Sequence, residues 1–222
     1  METHTTEEQQ IAALKNWWKE NGSSIVTGIV LGLAVLFGAK AWFAYQERTA
    51  QNASNVYMVM MNALETGDTA TVTERAGLLI SEFSRTPYAA FAALALAKLK
   101  LGEGELEAAQ AQLQWALDNS GSGAISDVAR LRLARVLVAR GDLDAAGQLL
   151  DQAVPGSAFD TLYSEVRGDI YQARGELVLA NDAYQQALAA MAPDAPGRQL
   201  LQLKHDSFSG RAATTAAEGS AQ

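Results

Sequence analysis

Gly104-Glu-Leu-Glu-Ala-Ala109 is echoed by Gly141-Asp-Leu-Asp-Ala-Ala146 and again by Gly175-Glu-Leu-Val-Leu-Ala180. The three glycines are 37 and 34 residues apart. Each follows a long apolar-periodic segment and precedes another. A glycine in that place can end the first helix in a left-handed cap. The acidic residue after it suits the start of a second helix, where the peptide dipoles favour negative charge.

A 34-residue helix-turn-helix period points to tetratricopeptide-like units. The flanking residues fit. Gly168 and Tyr171 face Ala180, Tyr184 and Ala187 in the third unit; Ala134 and Leu137 face Ala146, Leu150 and Ala153 in the second. Ala109, Leu113 and Ala116 match on the second helix of the first. Small residues let two helices approach, and large ones fill the space beside the crossing. The three extra residues between the first two glycines fall in Asn119-Ser-Gly-Ser-Gly123, a loop that tolerates insertion.

A weaker unit precedes these. Residues 47–65 read as its first helix, Glu65-Thr-Gly-Asp68 as its turn, and Glu74 to Phe83 as its second helix. Gly67 stands 37 residues before Gly104, so the register agrees. After Pro193 and Pro196, residues 198–208 read as a last helix that caps the open end. Residues 209–222, small and polar, read as a disordered tail.

Upstream, Ser23 to Tyr45 reads SSIVTGIVLGLAVLFGAKAWFAY, with Lys40 its sole charge. That length spans a bilayer core of about 30 Å. Trp17 and Trp18 precede the run, and Trp42, Phe43 and Tyr45 close it, as aromatic belts do. Lys40 can snorkel to the headgroups. Ala39-Lys40-Ala41 resembles a leader-cleavage triplet. A signal peptide, however, wants a short positive start, and here Glu2, Glu7, Glu8 and Glu20 outweigh Lys15 and Lys19. The segment therefore reads as an uncleaved anchor. Lys15 and Lys19 before it balance Lys40 and Arg48 after it, so the residues leave orientation open. Ile11, Leu14, Trp17 and Trp18 share one face of residues 7–20, which reads as an interfacial helix. No breaker separates Trp42 from Leu64, so the span is expected to run directly into the first repeat helix; a kink near Gln51-Asn52 is the alternative.

The reading is thus all-α: an N-terminal segment over 1–22, a transmembrane helix over 23–45, a repeat solenoid over 46–208 and a tail over 209–222. The 222 residues carry no cysteine, which excludes disulfides, thiolate zinc sites and a cysteine nucleophile. Net charge is −8, a poor match to a phosphate backbone, so no nucleic-acid partner is expected. The two histidines, His4 and His205, lie near opposite ends. Gly102-Glu-Gly104 is better read as an interhelical turn than as a phosphate loop. Glu103, Glu105, Glu107, Asp142 and Asp144 sit at helix starts, a placement that favours capping over catalysis or calcium. Neither enzyme chemistry, nor a metal, nor a cofactor is expected.

Two surfaces could bind protein. Gly28 and Gly32 form a GxxxG ridge, extended by Ser24, where another membrane helix could pack closely. Arg130, Arg132, Arg135 and Arg140 cluster on the first helix of the second repeat, and first helices line the concave face of such solenoids. Arg135, Lys98 and Asp169 fall at equivalent, groove-side positions of neighbouring repeats. The competing reading is a solvated face of surface ion pairs.

The order of parts resembles the ancillary SecYEG translocon subunit family of Gram-negative bacteria, the YfgM type. The parts are paired aromatics, Glu20-Asn21-Gly22, a span with Gly28-Ile-Val-Leu-Gly32, and repeats bearing Leu131-Arg-Leu-Ala-Arg-Val136, Arg167-Gly168 and Gln202-Leu-Lys204. The resemblance covers roughly residues 8–210. It implies an inner-membrane protein with a cytoplasmic N-terminus and periplasmic repeats. It also implies association with the SecYEG channel and with PpiD, a membrane-anchored periplasmic chaperone. The implied role is to pass exported client proteins to periplasmic chaperones. The alternative is a structural subunit of a translocon or envelope complex acting mainly through its membrane helix.

Overall fold

The computed structural model describes residues 7–121 and 123–207. The described residues are helical apart from short turns, and no strand occurs among them. The proposed tail, His4 and the first residues of the leader segment lie outside the described residues. The chain divides into two units between Asn52 and Ala53.

The first unit is the exposed part of helix α1, which runs from Glu7 to Thr66. It contains a stretch long and apolar enough to cross a membrane. Val30, Leu31, Val35, Leu36 and Phe37 are all exposed. Residues 7–20, expected as an interfacial helix leading into the span, are helical. They belong to α1, and its turns continue through Gly22. The local reason is visible. The Asn21 amide donates back to the Trp17 carbonyl (3.0 Å) instead of capping a new helix, and the Trp18 ring lies over Gly22. Every residue from Trp42 to Leu64 is helical, and Gln51-Asn52 brings no break in the helix.

The second unit stacks helix pairs. The end of α1 pairs with α2 (Thr69–Glu82), α3 (Pro87–Gly102) with α4 (Leu106–Asn119), α5 (Ala124–Arg140) with α6 (Leu143–Asp151), and α7 (Asp160–Ala173) with α8 (Leu177–Ala190). Residues 198–207, here α9, are helical to the last described residue.

All four pairs share one turn. Gly67, Gly104, Gly141 and Gly175 adopt φ of 76, 79, 83 and 79°, which only glycine does without steric cost. The residue after each glycine donates its N–H to the carbonyl six residues upstream of the next helix start: Asp68 to Ala63, Glu105 to Lys100, Asp142 to Leu137 and Glu176 to Tyr171, each at 2.9 Å. That bond satisfies a carbonyl the ending helix leaves open. The expected acidic side-chain cap occurs only in the first unit, where Asp68 accepts from the Thr71 N–H at 3.1 Å. Glu105, Asp142 and Glu176 make no such bond. Glu105 and Asp142 instead pair with Lys100 (3.0 Å) and Arg140 (3.1 Å) across the turn. The second helix of the first unit begins at Thr69, five residues before the expected Glu74, because that cap anchors it.

The crossings follow the expected small-large rule. Gly168, seven residues before its turn glycine, is buried under Tyr184, nine residues after it. A Cβ at 168 would stand 2.5 Å from Tyr184 Cδ1 and 3.0 Å from Cζ. Ala97 with Leu113, and Ala134 with Leu150, occupy the same register in the middle units, all buried. In the first unit the sizes are exchanged: Met60 comes from the first helix and Ala76 from the second.

Helix α9 takes the place that the first helix of a further unit would take. Leu201, 1% exposed, packs with Ala180, Tyr184, Ala187 and Leu188 of α8. Arg198 donates to the carbonyls of Leu188 and Met191 at the end of α8, as Arg167 of α7 donates to Leu150 at the end of α6.

Candidate protein-interaction groove

Residues at fixed offsets from the turn glycines line one face of the first helices. Six residues before the glycine stand Met61, Lys98, Arg135 and Asp169. Thirteen before it, in the last three units, stand Phe91, Val128 and Leu162. The candidates Lys98, Arg135 and Asp169 thus fall on one face, but their surroundings differ.

Asp169 is engaged within the domain. Its carboxylate accepts from Lys204 Nζ of α9 at 2.8 and 3.0 Å, and its Oδ1 lies 2.8 Å from the Tyr184 hydroxyl. Lys204 also donates to Glu165 at 2.9 Å. Burial works against the Lys204 charge, but the hydrogen bonds it donates to Asp169 and Glu165 outweigh it and raise its pKa. Burial, followed by the Asp169 charge, pushes the Tyr184 hydroxyl far up, so it stays protonated and can donate. Arg135 reaches the other side of Glu165 at 3.4 Å. A lateral ladder results: Arg135 on α5, Glu165 on α7, Lys204 on α9, and back to Asp169 on α7.

The arginine cluster is divided in the same way. Arg130 donates to the Leu149 carbonyl at 3.2 Å near the end of α6. Arg140 pairs with Glu107 (3.3 Å) and Asp142 (3.1 Å). Arg132 is exposed and has no carboxylate partner among the described residues. Lys98 is exposed and likewise unpaired among them.

Lys98 and Arg132 border a cavity of about 530 Å³ between the end of α1, α3 and α5. Tyr57, Met61, Phe91, Leu94, Ile125 and Val128 line it. Tyr57 stacks obliquely on Phe91, ring centroids 6.0 Å apart, and Phe91 remains 38% exposed. Sequence reasoning named Lys98 and Arg132 here but did not join them with Tyr57, Phe91 and Val128 as one set. Phe91 and Val128 carry a signal, a constant offset of thirteen from their turn glycines; Tyr57 and Arg132 do not share it. The cleft between α6 and α7 differs: it is polar and bridged by the ion pairs Arg167–Asp151 and Arg174–Asp144. Among the described residues no group of three or more His, Cys, Asp or Glu could hold a metal ion.

Gly28 and Gly32 lie in the first unit on an exposed stretch of α1. A Cβ at either would meet nothing within 4 Å, so the ridge is open.

The tetratricopeptide repeat-like domain family matches residues 15–210. An ancillary SecYEG translocon subunit of Haemophilus influenzae is 34% identical over 183 residues, 82% of this chain and 88% of that protein. Proteins of the same name from Escherichia coli K12 and Neisseria gonorrhoeae are 29% and 30% identical, each over 94% of this chain and 100% of the relative. No solved structure matches the chain significantly. The groove-bearing helix pairs and the exposed apolar helix that precedes them therefore have known relatives over nearly their whole length, and the chain belongs to the ancillary SecYEG translocon subunit family, with a tetratricopeptide repeat-like domain.

Proposed function

We propose that this chain is a single-pass inner-membrane subunit that accompanies the SecYEG translocon, with its N-terminus in the cytoplasm and its repeats in the periplasm. The repeats recruit a protein partner, either a membrane-anchored chaperone of the PpiD kind or an exported client, and help pass clients onward. The observation that carries this reading is the open apolar groove on the first helices, bordered by Lys98 and Arg132, which have no ion-pair partner among the described residues. The soluble unit buries its apolar faces on itself yet leaves this groove uncovered, as protein-binding surfaces do. Nothing in the site assembles a nucleophile with a base, so the reading is one of binding and not of catalysis.

The open ridge of Gly28 and Gly32 favours a second reading, in which the membrane helix makes the main contact and the repeats act as a spacer. One experiment separates them. Residues 23–45 are replaced by an unrelated span of equal length, and the full chain is recovered from gently solubilised membranes. Retention of chaperone and client with the swapped span supports the groove. Loss of every partner supports the membrane helix.

A further inference from the structure

A charge ladder along the first helices stops halfway. In the C-terminal half, each groove-side cation finds an acid on the adjacent first helix. Arg135 of α5 meets Glu165 of α7, and Lys204 of α9 meets both Glu165 and Asp169. Lys98 on α3 is the register equivalent of Arg135, since each stands six residues before its turn glycine. The residue on α5 that corresponds to Glu165, ten before the glycine, is Leu131. It is apolar and buried. Lys98 therefore lacks the carboxylate its equivalent has. Arg132 adds a second uncompensated cation one turn from Val128. Both border the 530 Å³ cavity whose walls are Tyr57, Met61, Phe91, Leu94, Ile125 and Val128.

We infer that the N-terminal half of the groove takes an amphipathic segment of a protein partner, apolar on one face and flanked by carboxylates that complete the ladder. The apolar face fills the cavity over Phe91 and Val128. The carboxylates meet Lys98 and Arg132. A basic segment would be repelled, because neither cation is ion-paired among the described residues. This inference rests on the groove reading proposed above and specifies the chemistry of the partner.

The test uses the full-length chain in intact cells, with a benzophenone amino acid at Val128. Crosslinked products are digested and the joined peptides sequenced. The expected result is capture of segments in which apolar residues alternate with Asp or Glu at helical spacing. Two rim charges are each worth a few-fold, so the Lys98→Glu, Arg132→Glu double variant should lower yield by about tenfold. The milder Lys98→Gln, Arg132→Gln variant should lower it by about threefold, with helical circular dichroism unchanged in both. Capture of protein segments without acidic residues, at a yield both variants leave intact, would overturn the chemical inference and leave the groove reading standing. Absence of any protein crosslink, with normal expression and helicity, would overturn both.

Discussion

Gly168 and Tyr184 show how little freedom the crossings allow. Three ring atoms of Tyr184 stand within 3.0 Å of where a Cβ at 168 would be, and the ring is itself fully buried. A methyl there must displace a packed aromatic. Gly168→Ala should cost about 1–3 kcal/mol, the usual range for overpacking, and urea midpoints of the second unit would read it. The same tyrosine makes the domain sensitive to alkali. Folded Tyr184, Tyr163 and Lys204 all hold their protons more tightly than in the unfolded chain, the tyrosines through burial first and Lys204 through Asp169 and Glu165 against its burial. A raised folded pKa contributes stability that is present below the unfolded value and lost as pH rises past it. The unfolded groups titrate near about pH 10, so melting temperature should be flat through neutrality and fall above that point. Tyr184→Phe should flatten part of the fall; a curve that drops near pH 6 would contradict this account.

At the scale of elements, α9 is the most informative. Leu201 is its one fully buried side chain, and Lys204 and Arg198 tie it to α7 and α8. Leu201→Ala should cost about 2–4 kcal/mol and raise hydrogen exchange at the end of α8 before it does so in α3. In α1, Gly28→Leu with Gly32→Leu should keep membrane insertion, because leucine is favourable in lipid, and reduce co-purification with the translocon if the ridge packs against a partner span. Unchanged recovery at equal expression would make the ridge lipid-facing filler. How much of this was readable beforehand depends on range. The turns were legible because a glycine and the residues beside it decide them locally, and four of them repeat. The first unit looked decayed because Met60 and Ala76 exchange the usual sizes, so a pattern anchored on the small residue misses it. The start of α2 was misplaced because one Asp68 cap outweighs weak apolar periodicity. The arginine cluster read as one surface, but Arg135 and Glu165 are 30 residues apart and Lys204 and Glu165 are 39 apart. Pairings at that distance follow from stacking, which no local pattern encodes.

For the molecule as a whole, the all-α architecture and the family were both legible from the order of parts. The side of the membrane on which each part lies rests on the proposal above. Protease added to spheroplasts should degrade residues 53–207 and spare a small N-terminal fragment. Full protection of the repeats would overturn that topology, and a mature chain beginning at Trp42 would overturn the anchor. Unfolding of the second unit should not be strictly two-state under strain, because each helix pair touches mainly its neighbours. Probes placed in the first pair and in the last should diverge in the Leu201→Ala variant.

The shared turn carries a further consequence for how such a chain can change length. Each helix pair closes on a backbone hydrogen bond around a glycine, and that bond is blind to the side chains on either side. A joint of this sort is a splice point. A duplicated segment, residues 141–174, inserted after Arg174 begins with the glycine the preceding helix needs and ends where Gly175 already waits. Lengthening by whole modules therefore requires no new turn chemistry, and the reach of the domain can be tuned in steps of one helix pair.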